Sequence, residues 1–295
     1  MTERRLAALD LGTNSARLLV GDVSQDGAWS LVVDERIPCR LGQDLARTGR
    51  LHPEAEERAE RALSELAARA RGAGARRLVC VATYALRAAA NGARFVERVR
   101  QSVGIELRLL SGEEEARLVL RAARRYVTPA PGERVLCLDL GGGSLELARD
   151  DPGAPALVSL PLGPVVAGAA LQGSPAPGVV AEFRGEVAGL LRAGAAGFSG
   201  SSREPAAAGG TATSGPRAGR ALAAADLESL LPRLAALDLE MRRRLPGLPP
   251  DRADIIVPGL AVLCETLRFL GAAGLRVHEH GVREGVLLAM QAGEM

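Results

Sequence analysis

The sequence has 295 residues, a formal net charge of +2, 47% hydrophobic residues and only 2% aromatics. Such a length has room for two domains of roughly 150 residues, and this composition belongs to a folded chain, not a disordered one. All 37 basic residues are arginine, which excludes a phosphate-loop lysine, a lysine Schiff base and a lysine general base.

The near-neutral charge argues against nucleic acid as a partner, and the few aromatics leave little on which bases could stack. Cys39, Cys80, Cys137 and Cys264 are far apart and form no C-x-x-C pair; they read as reduced, buried thiols of a cytoplasmic protein. The start, MTERRLAALD, lacks the apolar stretch of a signal peptide, and no run approaches the roughly 18 apolar residues of a membrane span.

In chain order, Leu6–Asp10 reads as a strand, Gly12 to Ser15 as a tight loop, and Ala16–Val23 as a second strand. A helix is expected over Pro53–Arg71, with Pro and acids at its start, arginines at its end and Gly72 after it. Leu78–Thr83 reads as a buried strand, Phe95–Val103 as a helix, Ile105–Leu110 as a strand, and Gly112–Arg125 as a helix. Val135–Leu140, Gly141-Gly142-Gly143-Ser144 and Leu145–Arg149 repeat the strand, loop, strand pattern. The stretch from Gly173 to Gly219 reads as loops around one helix, Val179–Arg192. Helices return at Ala225–Leu237, Asp254–Gly271 and Val282–Met290. The mixture is an α/β protein.

Two hexads share D-L-G-x-x-S: Asp10-Leu11-Gly12-Thr13-Asn14-Ser15 and Asp139-Leu140-Gly141-Gly142-Gly143-Ser144, 129 residues apart. Each follows an apolar strand and precedes another, so each is a hairpin tip with an acid at the strand end. Glycine there lets backbone N–H groups turn inward as an anion nest, a hydroxyl adds a donor, and the acid suits Mg²⁺. A lone D-x-G tip is an ordinary hairpin turn. Two copies, each carrying an acid that a hairpin does not need, suggest a duplicated fold with a polyanion held between its halves.

The two tips resemble the phosphate motifs of the actin-like, sugar-kinase and heat-shock ATPase superfamily. Five further stretches narrow the resemblance: ATYALRAAANG (82–92), LLSGEEEARL (109–118), DLGGGSLEL (139–147), SLPLG (159–163), and RADIIVPGL (252–260) with HGVREGVLL (280–288). With these, the chain resembles the exopolyphosphatase and guanosine pentaphosphate phosphohydrolase family over nearly its whole length. The resemblance implies two actin-like (ribonuclease H-like) domains of mixed sheets flanked by helices, with an active-site cleft between them. The domains are expected at 1–124 and 125–295, with a last helix able to pack back toward the first.

Hydrolysis of a phosphoanhydride needs charge neutralisation, a water aimed in line and a base beside it. Arg87, just after a strand, is suited to clamp phosphate oxygens with its planar fork. Glu113, Glu114 and Glu115 sit at a helix start, where the dipole alone favours acids. The resemblance implies that Glu115 is the general base, with Glu114 as the fallback in the triplet. Asp10, Asp139 and Glu146 would form an all-oxygen site for Mg²⁺ or another divalent cation. Phosphate contacts are expected from Gly12, Thr13, Asn14, Ser15, Gly141, Gly142, Gly143 and Ser144. Gly210 and Thr211 join them, because Gly209-Gly210-Thr211 resembles the family's second-domain glycine loop. His278 and His280 lack a third ligand at a telling spacing and read as ordinary residues.

Several departures stand out. Leu145 occupies a position where the family usually has Thr, the stretch after SLPLG is apolar, and the segment between Gly210 and Leu222 is short. The chain resembles the short form without further C-terminal helical domains. These features favour a Mg²⁺-dependent exopolyphosphatase acting on short inorganic polyphosphate. The alternatives are a guanosine pentaphosphate 5′-phosphohydrolase, a non-catalytic sensor of polyphosphate or guanosine tetraphosphate, and a sugar-kinase or ATPase relative. A homodimer is a family-level expectation.

Overall fold

The structure is a computed structural model and describes residues 4–24, 28–129, 134–171, 173–200, 205–209 and 219–295. Residues Met1–Ala122 with His280–Met295 form one compact unit, and Ala123–Glu279 a second. This division falls within one helix and takes the last 16 residues into the first unit, in place of a break at 124 with the chain end counted in the second.

The first unit opens on an antiparallel meander of β1 (Arg4–Leu11), β2 (Ser15–Val23) and β3 (Trp29–Pro38). A short α1 (Leu45–Thr48) precedes α2 (Pro53–Gly72), then come β4 (Arg77–Ala82), α3 (Tyr84–Ala88), α4 (Gly92–Ser102), β5 (Leu107–Leu109) and α5 (Gly112–Tyr126). The sheet order is β3-β2-β1-β4-β5, with β4 parallel to both β1 and β5. Continuous burial from Leu6 to Leu9 marks β1 as a central strand covered on both faces. The covering helices include α2, against all three meander strands, and the last helix of the chain, against β1 and β2.

In the second unit the meander recurs as β6 (Leu136–Leu140), β7 (Leu145–Arg149) and β8 (Ala156–Leu160). There follow α6 (Pro177–Gly194), β9 (Ala206–Gly209), β10 (Ala221–Ala223), α7 (Ala224–Ala235), α8 (Leu239–Arg243), α9 (Ile256–Leu270) and β11 (Gly274–Val277). The order β8-β7-β6-β9-β11 repeats that of the first sheet, parallel from β6 onward, and β10 adds an antiparallel edge. Helix α9 is apolar all round and buried from Ile256 to Leu267, the mark of a helix enclosed within a core. Its one acid, Glu265, is held by Arg184 and Arg268. The closing helix, α10 (Val282–Gln291), belongs to the first unit. Gly285 of α10 lies so near α5 that a Cβ there would stand 2.3 Å from the Leu118 carbonyl oxygen.

One sequence reading is corrected here. The stretch from Gly173 to Gly219, read as loops around one helix, contains β9, which pairs with β6 and β11 in the middle of the sheet. Three alanines carry no β-branched signal, and their strand conformation comes from the neighbours on both sides.

Candidate active site

In a sheet with parallel strands, the loops beyond the carboxyl ends of those strands are where ligands bind. In the first unit three such loops meet. Thr83 N donates to Leu11 O at 3.3 Å, and Leu110 N donates to Ala82 O at 2.9 Å. The tip after β1, the start of α3 and the start of α5 therefore share one end of the sheet. That end carries Asp10, Thr13, Asn14, Thr83, Arg87 and Glu115.

Arg87 and Glu115 are brought together. Arg87 Nη1 donates to Glu115 Oε2 at 3.1 Å and to Leu110 O at 2.7 Å. Glu115 is 6% exposed, and its amide donates to Ser111 O at 3.0 Å in the first turn of α5. The guanidinium carbon of Arg87 lies 5.7 Å from the centroid of the Tyr84 ring. Its remaining N–H groups make no hydrogen bond among the described residues.

The other two glutamates of the triplet have different fates. Glu114 closes a capping box: Ser111 N donates to Glu114 Oε2 at 2.8 Å, and Glu114 N donates to Ser111 Oγ at 3.1 Å. Arg108 adds a bond to Glu114 at 2.8 Å. The Ser111 amide, then Arg108, hold this carboxyl below its ordinary range. Glu113 is exposed. The spacing Ser111-x-x-Glu114 is the sequence signal of this capping box.

Both hairpin tips close the same way. Gly12 N donates to Ser15 O at 3.1 Å, and Gly141 N donates to Ser144 O at 3.0 Å. Behind each tip lies the turn that follows the third meander strand. In the first unit, Cys39 N and Arg40 N donate to Asn14 O at 3.0 and 2.8 Å, and Gly42 N donates to Thr13 O at 2.8 Å. In the second, Val165 N donates to Gly142 O at 2.9 Å. The tip carbonyls are thus tied backward, while the N–H groups of Thr13, Asn14, Gly142 and Gly143 have no partner among the described residues. Thr13, Ser15 and Ser144 are buried.

The expected reason for the glycines needs correction. None of Gly12, Gly141, Gly142 and Gly143 has a positive φ, so the tips are not left-handed nests. The steric demand falls instead on the turn that faces the second tip. A Cβ on Gly163, in the SLPLG turn, would stand 2.2 Å from both N and C of Gly143. Leu145, the departure from the family pattern, lies in the core of the second unit, so no hydroxyl is missing from the tip's surface.

The acids differ between the repeats. Asp10 pairs in register with Arg17 across β1 and β2, whereas Asp139 pairs with Glu146 across β6 and β7. Glu146 is 2% exposed and accepts from Ser159 Oγ at 2.7 Å. Burial pushes the Asp10 carboxyl up to about 6, against the pull of Arg17 and Arg283 and with a smaller push from Glu284. Asp10 Oδ1 and Asn14 Oδ1 are buried oxygens without a hydrogen-bond partner among the described residues. Two buried hard oxygens that accept no hydrogen bond among the described residues fit a divalent cation. No group of three or more His, Cys, Asp or Glu suited to a metal occurs among the described residues. Gly210 and Thr211 lie outside the described residues, as does any role for them. No helix among the described residues is long and apolar enough to cross a membrane.

Known proteins match over this same span. Exopolyphosphatase 1 of Mycobacterium tuberculosis (strain H37Rv) is 32% identical over 301 residues, covering 96% of this chain and 87% of that one. A crystal structure of the Aquifex aeolicus member of the Ppx/GppA family superimposes with a TM-score of 0.81 at 26% identity, over 99% of both chains. An exopolyphosphatase from Cytophaga hutchinsonii shares the fold, with a TM-score of 0.89 at 21% identity over 99% of both chains. The family model described as the Ppx/GppA phosphatase family matches residues 22–294. With a duplicated meander, phosphate-type tips and a carboxylate–arginine pair at the carboxyl ends of its strands, this chain belongs to the Ppx/GppA phosphatase family, whose members are hydrolases.

Proposed function

We propose that this protein releases terminal orthophosphate from inorganic polyphosphate, with short chains as its preferred substrates, and that it needs Mg²⁺ or another divalent cation. The observation that carries the reading is the pair formed by Arg87 and the buried Glu115 beside a hairpin tip whose amides are free to donate. The name of the mycobacterial relative adds support.

In this reading a water is held by Glu115, whose carboxylate takes its proton as the water oxygen attacks the terminal phosphorus. The P–O bond to the bridging oxygen breaks, and its electrons leave with the shortened chain. The products are orthophosphate and a polyphosphate one unit shorter. Charge builds on the terminal phosphoryl oxygens and on the leaving oxygen during this step. The uncommitted N–H groups of Arg87 and the amides of Thr13 and Asn14 are donors for those oxygens, fixed before the reaction begins. In the second unit, Gly142, Gly143 and Ser144 offer the same kind of donors. Asp10, and in the second unit Asp139 and Glu146, are the oxygens that would hold a divalent cation. When bound, the cation would neutralise phosphate charge and polarise the reacting phosphoryl group.

The test is phosphate release from polyphosphate of defined short length, with Mg²⁺ and with chelator, for the wild type and Glu115→Gln. The reading expects cation-dependent release that falls about 10²–10⁴-fold in the variant, the range for loss of a general base. Guanosine pentaphosphate belongs in the same panel, and equal or better turnover of it would replace the substrate assignment. Polyphosphate binding without release would make the protein a sensor. A cytoplasmic location and a homodimer are parts of the proposal that fractionation and light scattering address.

A further inference from the structure

Arg87 is held more tightly than an arginine on a five-residue helix has reason to be. Helix α3, Tyr84–Ala88, has no side-chain cap, and so short a helix does little to fix a long side chain by itself. Three groups fix it instead. Nη1 is shared between Leu110 O and Glu115 Oε2, and the Tyr84 ring stands 5.7 Å from the guanidinium carbon, within cation–π range. Tyr84 and Arg87 are three residues apart, so on a helix their side chains emerge on the same face. The ring is half-buried, and burial pushes its hydroxyl above the ordinary range while Arg87 pulls it down. All of Arg87's side-chain hydrogen bonds among the described residues leave from Nη1; Nη2 and Nε are uncommitted there.

This arrangement has a consequence for an anionic substrate. A guanidinium tied only through one nitrogen can swing about that nitrogen, and an incoming phosphate could pull it off Glu115. A ring beside the guanidinium blocks part of that swing. It leaves the Nη2 and Nε edge, the geometry that matches two phosphate oxygens. We propose that Tyr84 is a positioning residue for hydrolysis: its ring keeps Arg87 on Glu115 while the free edge of the fork takes the terminal phosphate. The ring, not the hydroxyl, does this. The inference rests on the functional reading given above, in which Arg87 touches the phosphoryl group.

The test is a double-mutant cycle on phosphate release from short polyphosphate with Mg²⁺, using the wild type, Tyr84→Phe, Tyr84→Leu, Arg87→Ala and the Tyr84→Leu/Arg87→Ala pair. Circular dichroism and thermal unfolding check that each variant folds. Expected are a Tyr84→Phe enzyme within about twofold of wild type and a Tyr84→Leu enzyme about tenfold lower in kcat, the scale of a partly desolvated cation–π contact. KM should move less than kcat. In the Arg87→Ala background, Tyr84→Leu should cost nothing further, because it acts only through Arg87. An unchanged Tyr84→Leu enzyme overturns the inference, as does the same fold loss in both backgrounds, which would mark a merely structural ring. A Phe variant as poor as Leu also overturns it, in favour of the hydroxyl. A wild type that releases no phosphate from polyphosphate or guanosine pentaphosphate overturns the functional reading itself, and this inference with it.

Discussion

Asp10→Asn probes the site through stability, independently of turnover. In the folded protein the Asp10 carboxyl sits at about 6, against an ordinary value of 3.8, and burial is the dominant cause. The attraction of Arg17 and Arg283 is already contained in that net value. A rise of roughly two units at 1.36 kcal/mol each amounts to about 3 kcal/mol. The sign follows from which form the fold prefers. A raised acid is held more readily as the neutral carboxyl, so the folded state loses stability as pH climbs from about 4 to about 6 and stays lower by that amount above it. Removing the charge with an isosteric amide should remove the loss. In urea unfolding with chelator present, Asp10→Asn should therefore be more stable than wild type by about 3 kcal/mol at pH 7.5 and indistinguishable from it near pH 4. Adding Mg²⁺ at pH 7.5 should raise the wild type and leave the variant unmoved, since a ligand stabilises only the state that binds it. Equal stability of the two proteins at pH 7.5 in chelator would refute the argument that Asp10 is a destabilised, ligand-seeking carboxylate.

The glutamate triplet gives a paired prediction. Glu115→Gln should lose about 10²–10⁴-fold in phosphate release with little change in unfolding, whereas Glu114→Ala should lose about 1 kcal/mol of stability, the size of a helix cap, with turnover within a few-fold of wild type; the opposite pattern would move the base to Glu114. Gly163→Ala, whose Cβ would stand 2.2 Å from the Gly143 backbone, should destabilise by about 1–3 kcal/mol through overpacking. It should also depress phosphate release by shifting the second tip, and a fully active, fully stable Ala variant would show that the tip tolerates displacement.

Much of the fold was legible because the meanders write themselves in apolar runs. Leu6–Asp10 and Ala16–Val23 fall within β1 and β2, and Leu145–Arg149 coincides with β7. Helices α2 and α5 announce themselves by end charges, and the structure extends each by a single residue beyond the expected end. The elements that escaped share a physical cause. Strand β3 is an edge strand, half-exposed along its length, with Asp34, Glu35 and Arg36 in its middle, so neither a buried run nor a clean alternation marks it. Strand β9 is alanine, and only its two neighbours make it a strand. Helix α3 is five residues long, too short for a periodic signal. At the candidate site, residue types were readable but their division of labour was not. That Glu114 spends itself on the helix start and Glu115 on Arg87 depends on where α5 begins, and a run of three acids does not fix that to one residue.

The two hairpins carry the same backbone and different chemistry, and the difference begins two residues beyond the shared hexad. Ser15-Ala16-Arg17 places a cation opposite Asp10, while Ser144-Leu145-Glu146 places a second carboxylate opposite Asp139. Identical closing bonds, at 3.1 and 3.0 Å, show that the backbone did not have to change for this to happen. Position eight of the motif is therefore where the repeats differ in charge while the tip keeps its closing bond. Its side chain stands beside the strand-end acid on the same face of the hairpin, so its charge sets what that acid is able to hold. The acid facing arginine feels an opposing pull from Arg17, which burial outweighs. An acid facing glutamate concentrates negative charge on one face, the arrangement on which the proposed cation site at Asp139 and Glu146 rests. One hairpin backbone thus carries two electrostatic characters, each set by the residue opposite the strand-end acid.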